Sequence, residues 1–187
     1  KGSPGAVASV AISRDGKLTG LVSRIVASPA VNAVPFGMVP IGGGIVVGSS
    51  AVGNVVWLTD GGSVLKTTVV ATTPGAHALC WMTARKTDNG IFILAMDTPN
   101  NSVQAFLWQA GALTYVGPAA TGLNNPTDIG VSTSGLVGIS VRDGVEFYQI
   151  RSDGTFAHLN KIFLGFQPNG AEWVRTEFIG DLPRIFP

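Results

Sequence analysis

Charge is scarce in this sequence: Lys, Arg, Asp and Glu make up 12% of the 187 residues and balance to a formal +1. The basic residues are scattered and form no stripe that could follow a phosphate backbone, so nucleic acid is not an expected partner. Cysteine occurs once, at Cys80, which excludes an intrachain disulfide and any multi-cysteine metal site. Within "AHALCWMTA" it reads as a buried thiol. Histidine occurs only at His77 and His158; neither belongs to a ligand-spaced cluster, and no metal site is expected. No Gly-x-Ser-x-Gly elbow is present, so a serine triad has no seat. A 3.6-residue apolar period is also missing, which predicts few helices.

What the chain does have is apolar residues, 45% of the total, and 25 glycines. The segment between Arg24 and Asp60 carries no charge, and residues 39–58 have the length of a membrane span. Pro40 and the triplet Gly42, Gly43 and Gly44 would break a helix there, whereas short apolar runs parted by glycines suit buried strands, and no membrane is expected. "GGGIVVG" (42–48) precedes a strand-like run and opens no helix, so it lacks the geometry of a dinucleotide loop.

A proline followed by small, polar or aromatic residues and then an alternating run recurs at Pro35, Pro74, Pro126 and Pro168, at spacings of 39, 52 and 42 residues. Each spacing is near the length of one four-stranded propeller blade. After each of the first three prolines come four strand-sized runs, for example "GLVGISVR", "GVEFYQI" and "GTFAHLNKI" after Pro126. The connections "TDGGS", "QAGA" and "RSDGT" put glycine where a hairpin turn needs positive φ. Runs such as "GIFILA" are apolar on both sides, as expected where sheets stack face to face around an axis. The sequence thus predicts an all-β chain, a single propeller domain or part of one over 1–187, built of about four blades of four antiparallel strands. Residues 7–23 read as the inner two strands of an earlier blade, and the run after Pro168 as the start of another.

"PFGMVPIGGGIVVGSS", "ALCWMTARKTDNGIFILAMDTPNNSVQAFLW", "PTDIGVSTSGLVGISVRDGVEFYQIRSDGTF" and "PNGAE" resemble the lactonase-type seven-bladed propellers. That family includes 6-phosphogluconolactonases and fungal carboxymuconate-cyclase-like proteins. The resemblance covers roughly residues 5–175 and corresponds to the C-terminal half of a family member. It implies a ring of seven blades when complete, and either lactone hydrolysis or lactonising chemistry. The His, Glu and arginines of the lactonising members have no matching flanks at Arg142, Arg151 or Arg175.

In a propeller the innermost strands line a central channel, and their first residues form its mouth. By that placement His77, Asp128, Asn169 and Glu172 are the polar candidates, with His77 able to act as a general base or to orient a lactone carbonyl. The same residues could instead hydrogen-bond the neighbouring blade and close the ring. Trp81 and Phe36 sit on proposed inner strands and could stack on a planar ligand; Trp57, Trp108, Trp173, Phe92, Phe106 and Tyr148 suit packing between blades. Three functions stay open: a small-molecule-binding propeller, a lactone hydrolase or lactonising enzyme, and a secreted structural or interaction propeller. No cofactor can be named.

Low charge, abundant small polar residues and the sequon Asn100-Asn101-Ser102 suggest an extracellular protein; the alternative is cytoplasmic. Four blade signals cannot close a ring of seven. Leaving terminal blade faces wet would cost on the order of 10 kcal/mol, as much as a whole domain's stability. The chain is therefore expected to pair with a second chain carrying the N-terminal blades, as after nicking at an exposed loop such as "KGSPGAV", or with another copy of itself.

Overall fold

The computed structural model describes residues 5–26, 34–41, 43–51, 53–60, 65–75 and 78–168, with backbone alone at 21–26, 57, 60 and 65–70. All regular structure in them is strand apart from one short 3-10 turn, Thr98–Asn100. The first sheet pairs β1 (Ala6–Ile12) with β2 (Leu18–Val26). The second runs in order through β3 (Pro35–Ile41), β4 (Gly44–Ser49), β5 (Asn54–Asp60) and β6 (Leu65–Thr72). The third comprises β7 (Leu79–Thr87), β8 (Gly90–Asp97), β9 (Ser102–Gln109) and β10 (Ala112–Ala120), and the fourth β11 (Asp128–Val131), β12 (Leu136–Val141), β13 (Gly144–Ile150) and β14 (Phe156–Phe163). Every pairing is antiparallel and every connection joins neighbours. Three four-stranded meanders and one pair make a partial β-propeller.

Local chemistry explains the hairpins. Ala110 and Gly111 both take positive φ, 51° and 82°, in the two-residue turn between β9 and β10, where a mirror-image turn matches the strand twist. Gly154 does the same in "RSDGT" at φ 86°. The glycines of "TDGGS" lie outside the described residues. The uncharged stretch 39–58 is not a helix: it holds the end of β3, all of β4 and most of β5. Among the described residues no helix is long and apolar enough to cross a membrane.

The core lies between sheets. On β8, Ile93 and Ala95 pack toward the second sheet with Val46, Val55 and Phe106, while Phe92, Leu94 and Met96 pack toward the fourth with Ile129, Ile139 and Tyr148. A strand with a sheet on each side must be apolar on both faces, which is why "GIFILA" shows no alternation. Trp108 joins the first of these clusters, so Phe92, Phe106, Trp108 and Tyr148 all serve packing between sheets. Trp57 and Trp173 lie outside the described side chains.

The inner strands touch in turn, β3 against β7 and β7 against β11, while the outermost strand β6 touches β10 on one side and β2 on the other. Strand β2 therefore holds an outermost place, and Val7 of β1 packs on Val47 of β4 and on Val56 and Leu58 of β5. Residues 6–26 thus form the outer pair of a blade. The expectation of an inner pair over 7–23 is corrected: two short strands read alike at either radius, and only their neighbours tell which radius they hold.

Candidate functional site

Each of the first two inner strands carries a bulge at its mouth end. Pro35 pairs with Ser49 but Met38 with Val47, leaving Phe36 and Gly37 as the extra stretch. Leu79 pairs with Asp97 but Met82 with Ala95, leaving Cys80 and Trp81. An added residue re-aims side chains that a regular strand would send into the sheet stack. As a result the Phe36 and Trp81 rings meet edge to face, centroids 5.0 Å apart at 66°, yet stay 42% and 37% exposed. That is a large open share for two rings in contact. Between them Gly37 presses on β7: a Cβ there would run into the Cys80 carbonyl oxygen and the Met82 side chain. Cys80 itself is half-buried, not buried as expected, because the bulge turns it off the packed face.

Asp128 opens β11, directly across from Ser140, and is half-buried. Its Oδ1 accepts the Ile129 backbone N–H at 2.8 Å, the bond of a local strand-start cap. Ser140, fully buried, accepts from the Thr127 hydroxyl at 3.2 Å and donates to the Pro168 carbonyl at 2.9 Å. Thr98 donates to the Pro126 carbonyl at 2.9 Å in the same manner. Both hydroxyls lie 28 residues before the proline they hold, a period that the spacing of Pro126 and Pro168 already contained. Thr98, just after β8, thus ties the third sheet to the chain leading into the fourth, and Ser140 of β12 ties the fourth sheet to Pro168. His77, Asn169 and Glu172 lie outside the described residues; of the six site candidates, Phe36, Trp81 and Asp128 are described, and the first two are brought together.

Titratable groups gather elsewhere, on the outer half of the fourth sheet. Tyr148 donates to Glu146 Oε2 at 3.1 Å, His158 Nε2 stands 3.7 Å from the same oxygen, and Lys161 Nζ reaches Asp143 at 2.6 Å and Glu146 at 3.9 Å. Burial, with the Glu146 charge beside it, pushes the Tyr148 phenol far above its ordinary range. The Lys161 hydrogen bond holds the Asp143 carboxyl below its own. Spacing along the chain hides this group, since cross-strand register joins Tyr148 to His158 and Glu146 to Lys161. It lies on β13, β14 and the turn before β13, and not on an inner strand. A cavity of ≈ 260 Å3 lies nearby between the third and fourth sheets, with Phe92, Phe156, Gly117 and Pro118 in its wall. None of the three described candidates, Phe36, Trp81 and Asp128, lines it. Among the described residues no group of three or more His, Cys, Asp or Glu could hold a metal ion.

No family model matches the sequence, and no curated protein matches it. Solved structures do match in shape. A Bacteroides uniformis protein assigned as a 6-phosphogluconolactonase aligns at TM-score 0.70 with 16% identity, over 86% of this chain and 52% of its own. A functionally unknown protein from Desulfotomaculum acetoxidans aligns at 0.62 with 19% identity, over 81% and 47%. A catalytically inactive virginiamycin B lyase from Staphylococcus aureus, solved with quinupristin, aligns at 0.56 with 17% identity, over 80% and 47%. The chain thus spans about half the length of these structures, and what it shares with them is the β-propeller fold.

Proposed function

We propose that the chain is the C-terminal half of a lactonase-like propeller related to the carboxymuconate-cyclase-like proteins, and that it binds a small planar molecule at the channel mouth. The observation that carries this reading is the Phe36–Trp81 pair: two rings in contact on adjacent inner strands, each still well exposed. An exposed edge-to-face pair offers a planar ligand one ring face to stack on and one edge to meet. Asp128, opening the third inner strand in the row, would supply the polar contact that fixes the ligand's orientation.

Binding is preferred to catalysis because acid–base chemistry needs convergent titratable groups. Among the described candidates only Asp128 is titratable, and it spends one oxygen on a backbone cap. A lactone hydrolase would depend on His77, Asn169 and Glu172 joining it. Secretion is proposed on the low charge and the abundance of small polar residues.

Tryptophan fluorescence titrated with planar lactones and aromatic acids tests the binding reading. Saturable quenching that Trp81→Ala abolishes and Phe36→Ala weakens is the expected result; no saturable response to any member overturns it. Proton release from the same lactones, lost in His77→Ala or Glu172→Ala, would shift the assignment to the hydrolase.

A further inference from the structure

The third and fourth sheets both have four strands, yet they do not fill the space between them. Register explains the gap. Leu94 of β8 stands across from Ala105 of β9, and Ala105 across from Gly117 of β10. One row thus steps down from leucine to alanine to glycine on the face that meets the fourth sheet, and a Cβ built on Gly117 would meet nothing within 4 Å. Opposite this hollow, Ile150 and Phe156 form a cross-strand pair, and the Phe156 ring is braced by stacking on Tyr148, centroids 4.8 Å apart at 19°. Phe92 also faces the space, held by the turn between β13 and β14, where a Cβ on Gly154 would strike its ring. The result is the cavity of ≈ 260 Å3. Packed interiors leave few voids larger than a water molecule, and rings braced from behind keep this one from closing.

We propose that this cavity binds a neutral aromatic molecule of one or two fused rings, at a site separate from the Phe36–Trp81 pair. Volume bounds the size: an apolar cavity of about 150 Å3 takes benzene, and pockets for drug-sized ligands begin at about 300 Å3. The lining sets the class. Two phenyl rings, Phe92 and Phe156, face the space and no charged side chain does, so a planar uncharged ligand gains ring contacts and leaves no buried charge unpaired. One polar group on the ligand finds partners as well. Both register shifts of β10 fall in the wall, at Val116 and Ala119, and a bulge leaves its extra residue out of the ladder. Access is at the rim, where Val116 is 54% exposed and Pro118 is exposed.

Methyl NMR of the full chain titrated with indole tests this. The signals of Ala105, Val116, Ala119 and Ile150 should move saturably. Trp81→Ala, which removes the ring pair, should leave those shifts unchanged, so the result does not depend on the binding reading for the channel mouth. Ala119→Leu, which fills the hollow, should weaken indole at least about tenfold, and indole-3-acetate should bind the unaltered chain at least about tenfold more weakly than indole, because its carboxylate meets no cation in the lining. Indole that moves none of the four signals overturns the proposal. So do shifts that persist in Ala119→Leu or vanish in Trp81→Ala, or indole-3-acetate binding as tightly as indole. If Ala119→Leu loses the strand signal in circular dichroism, intermolecular NOEs from indole to the Ala105 and Val116 methyls of the unaltered chain decide in its place, and their absence overturns the proposal.

Discussion

The two sides of the second sheet use the same kinds of side chain and end differently. Facing the third sheet, Met82 and Ala84 of inner strand β7, across from Ala95 and Ile93, pack against the cluster that holds Val39, Ile41 and Val46. Facing the first sheet, Met38 and Pro40 of inner strand β3 hold the matching positions and remain open. The difference is in the neighbour. A sheet of four strands covers the full radius of the next one, and a pair at the outer radius covers only the outer part. In a radial stack, burial is a property of the interface and not of the strand that contributes to it.

The largest test of that contrast compares truncations on the two sides. Phe106, fully buried between the second and third sheets, should cost roughly 3–5 kcal/mol on replacement by Ala. Met38, 57% exposed, should change stability by less than about 0.5 kcal/mol on replacement by Ala. Urea midpoints of the two variants read this directly, and equal losses would break the comparison. Gly37→Ala comes next. Its Cβ would meet the Cys80 backbone carbonyl, which cannot swing aside as a side chain could, so the two inner strands must part at a cost of about 1–3 kcal/mol. The same movement should alter the fluorescence of the adjacent Trp81; a variant with native stability and an unchanged spectrum would mean the strands are not in tight register there.

Much of this architecture was legible in the sequence. Apolar runs on both sides of "GIFILA", glycine turns such as "QAGA" and "RSDGT", and the recurring prolines all follow from strand and turn chemistry that acts locally. What escaped was set by distant partners. The bulges at Phe36–Gly37 and Cys80–Trp81 leave no mark in the hydrophobic pattern, and they decide that Cys80 is half-buried and that two aromatic rings meet. The radius of β1 and β2 depends on β6 and on Val47, some 40 residues along. The carboxylate, phenol, imidazole and ammonium of the fourth sheet were scattered letters until register brought them together. Of the site candidates, Phe36 and Trp81 were legible as early residues of inner strands, and their rings meet; the polar candidates His77, Asn169 and Glu172 lie outside the described residues.

A smaller effect separates the third sheet from its neighbours. Ser49, Asp97 and Ser140 occupy one register position, across from Pro35, Leu79 and Asp128, and all three are buried. Only the third sheet puts a carboxylate there. Asn100 compensates by donating from one amide nitrogen to Asp97 Oδ2 at 2.7 Å and to the Gly75 carbonyl at 2.9 Å. Asp97 Oδ1 has no hydrogen-bond partner among the described residues. Removing Asn100 leaves a buried carboxylate poorly paired, and Asn100→Ala should cost about 2 kcal/mol by chemical denaturation. Replacing the carboxylate as well, in Asp97→Ser with Asn100→Ala, should recover part of that loss. Because both amide hydrogens are engaged, a glycan on Asn100 would break one of these bonds, and protein from a secretory host should carry none there; a fully glycosylated, equally stable product would contradict both the hydrogen bonds and their value.

The finest distinction concerns the two interfaces' tyrosines. Tyr115 belongs to the packing between the second and third sheets and donates to Gln104 Oε1 at 2.8 Å; Tyr148 belongs to the packing between the third and fourth. They are the only two in the chain. Burial raises both phenols above the ordinary value of 10.0, with the charges of Asp97 and Glu146 respectively adding to it. A raised phenol favours the protonated form in the folded state, so its stabilising effect is complete below pH 10.0. It is lost as pH climbs toward the folded value, because the unfolded chain ionises first and folding must then take the proton back. Tyrosinate absorbance should accordingly stay near zero in the folded protein past pH 10.0 and rise together with the loss of the strand signal. Tyr148 carries the larger shift, so Tyr115→Phe should leave the late, coupled rise nearly intact, and Tyr148→Phe should leave an earlier and smaller one. Half of the signal developing near pH 10.0 in protein that is still folded would show that one of these rings is open to water, and that the interface holding it is as incomplete as the one beside β1.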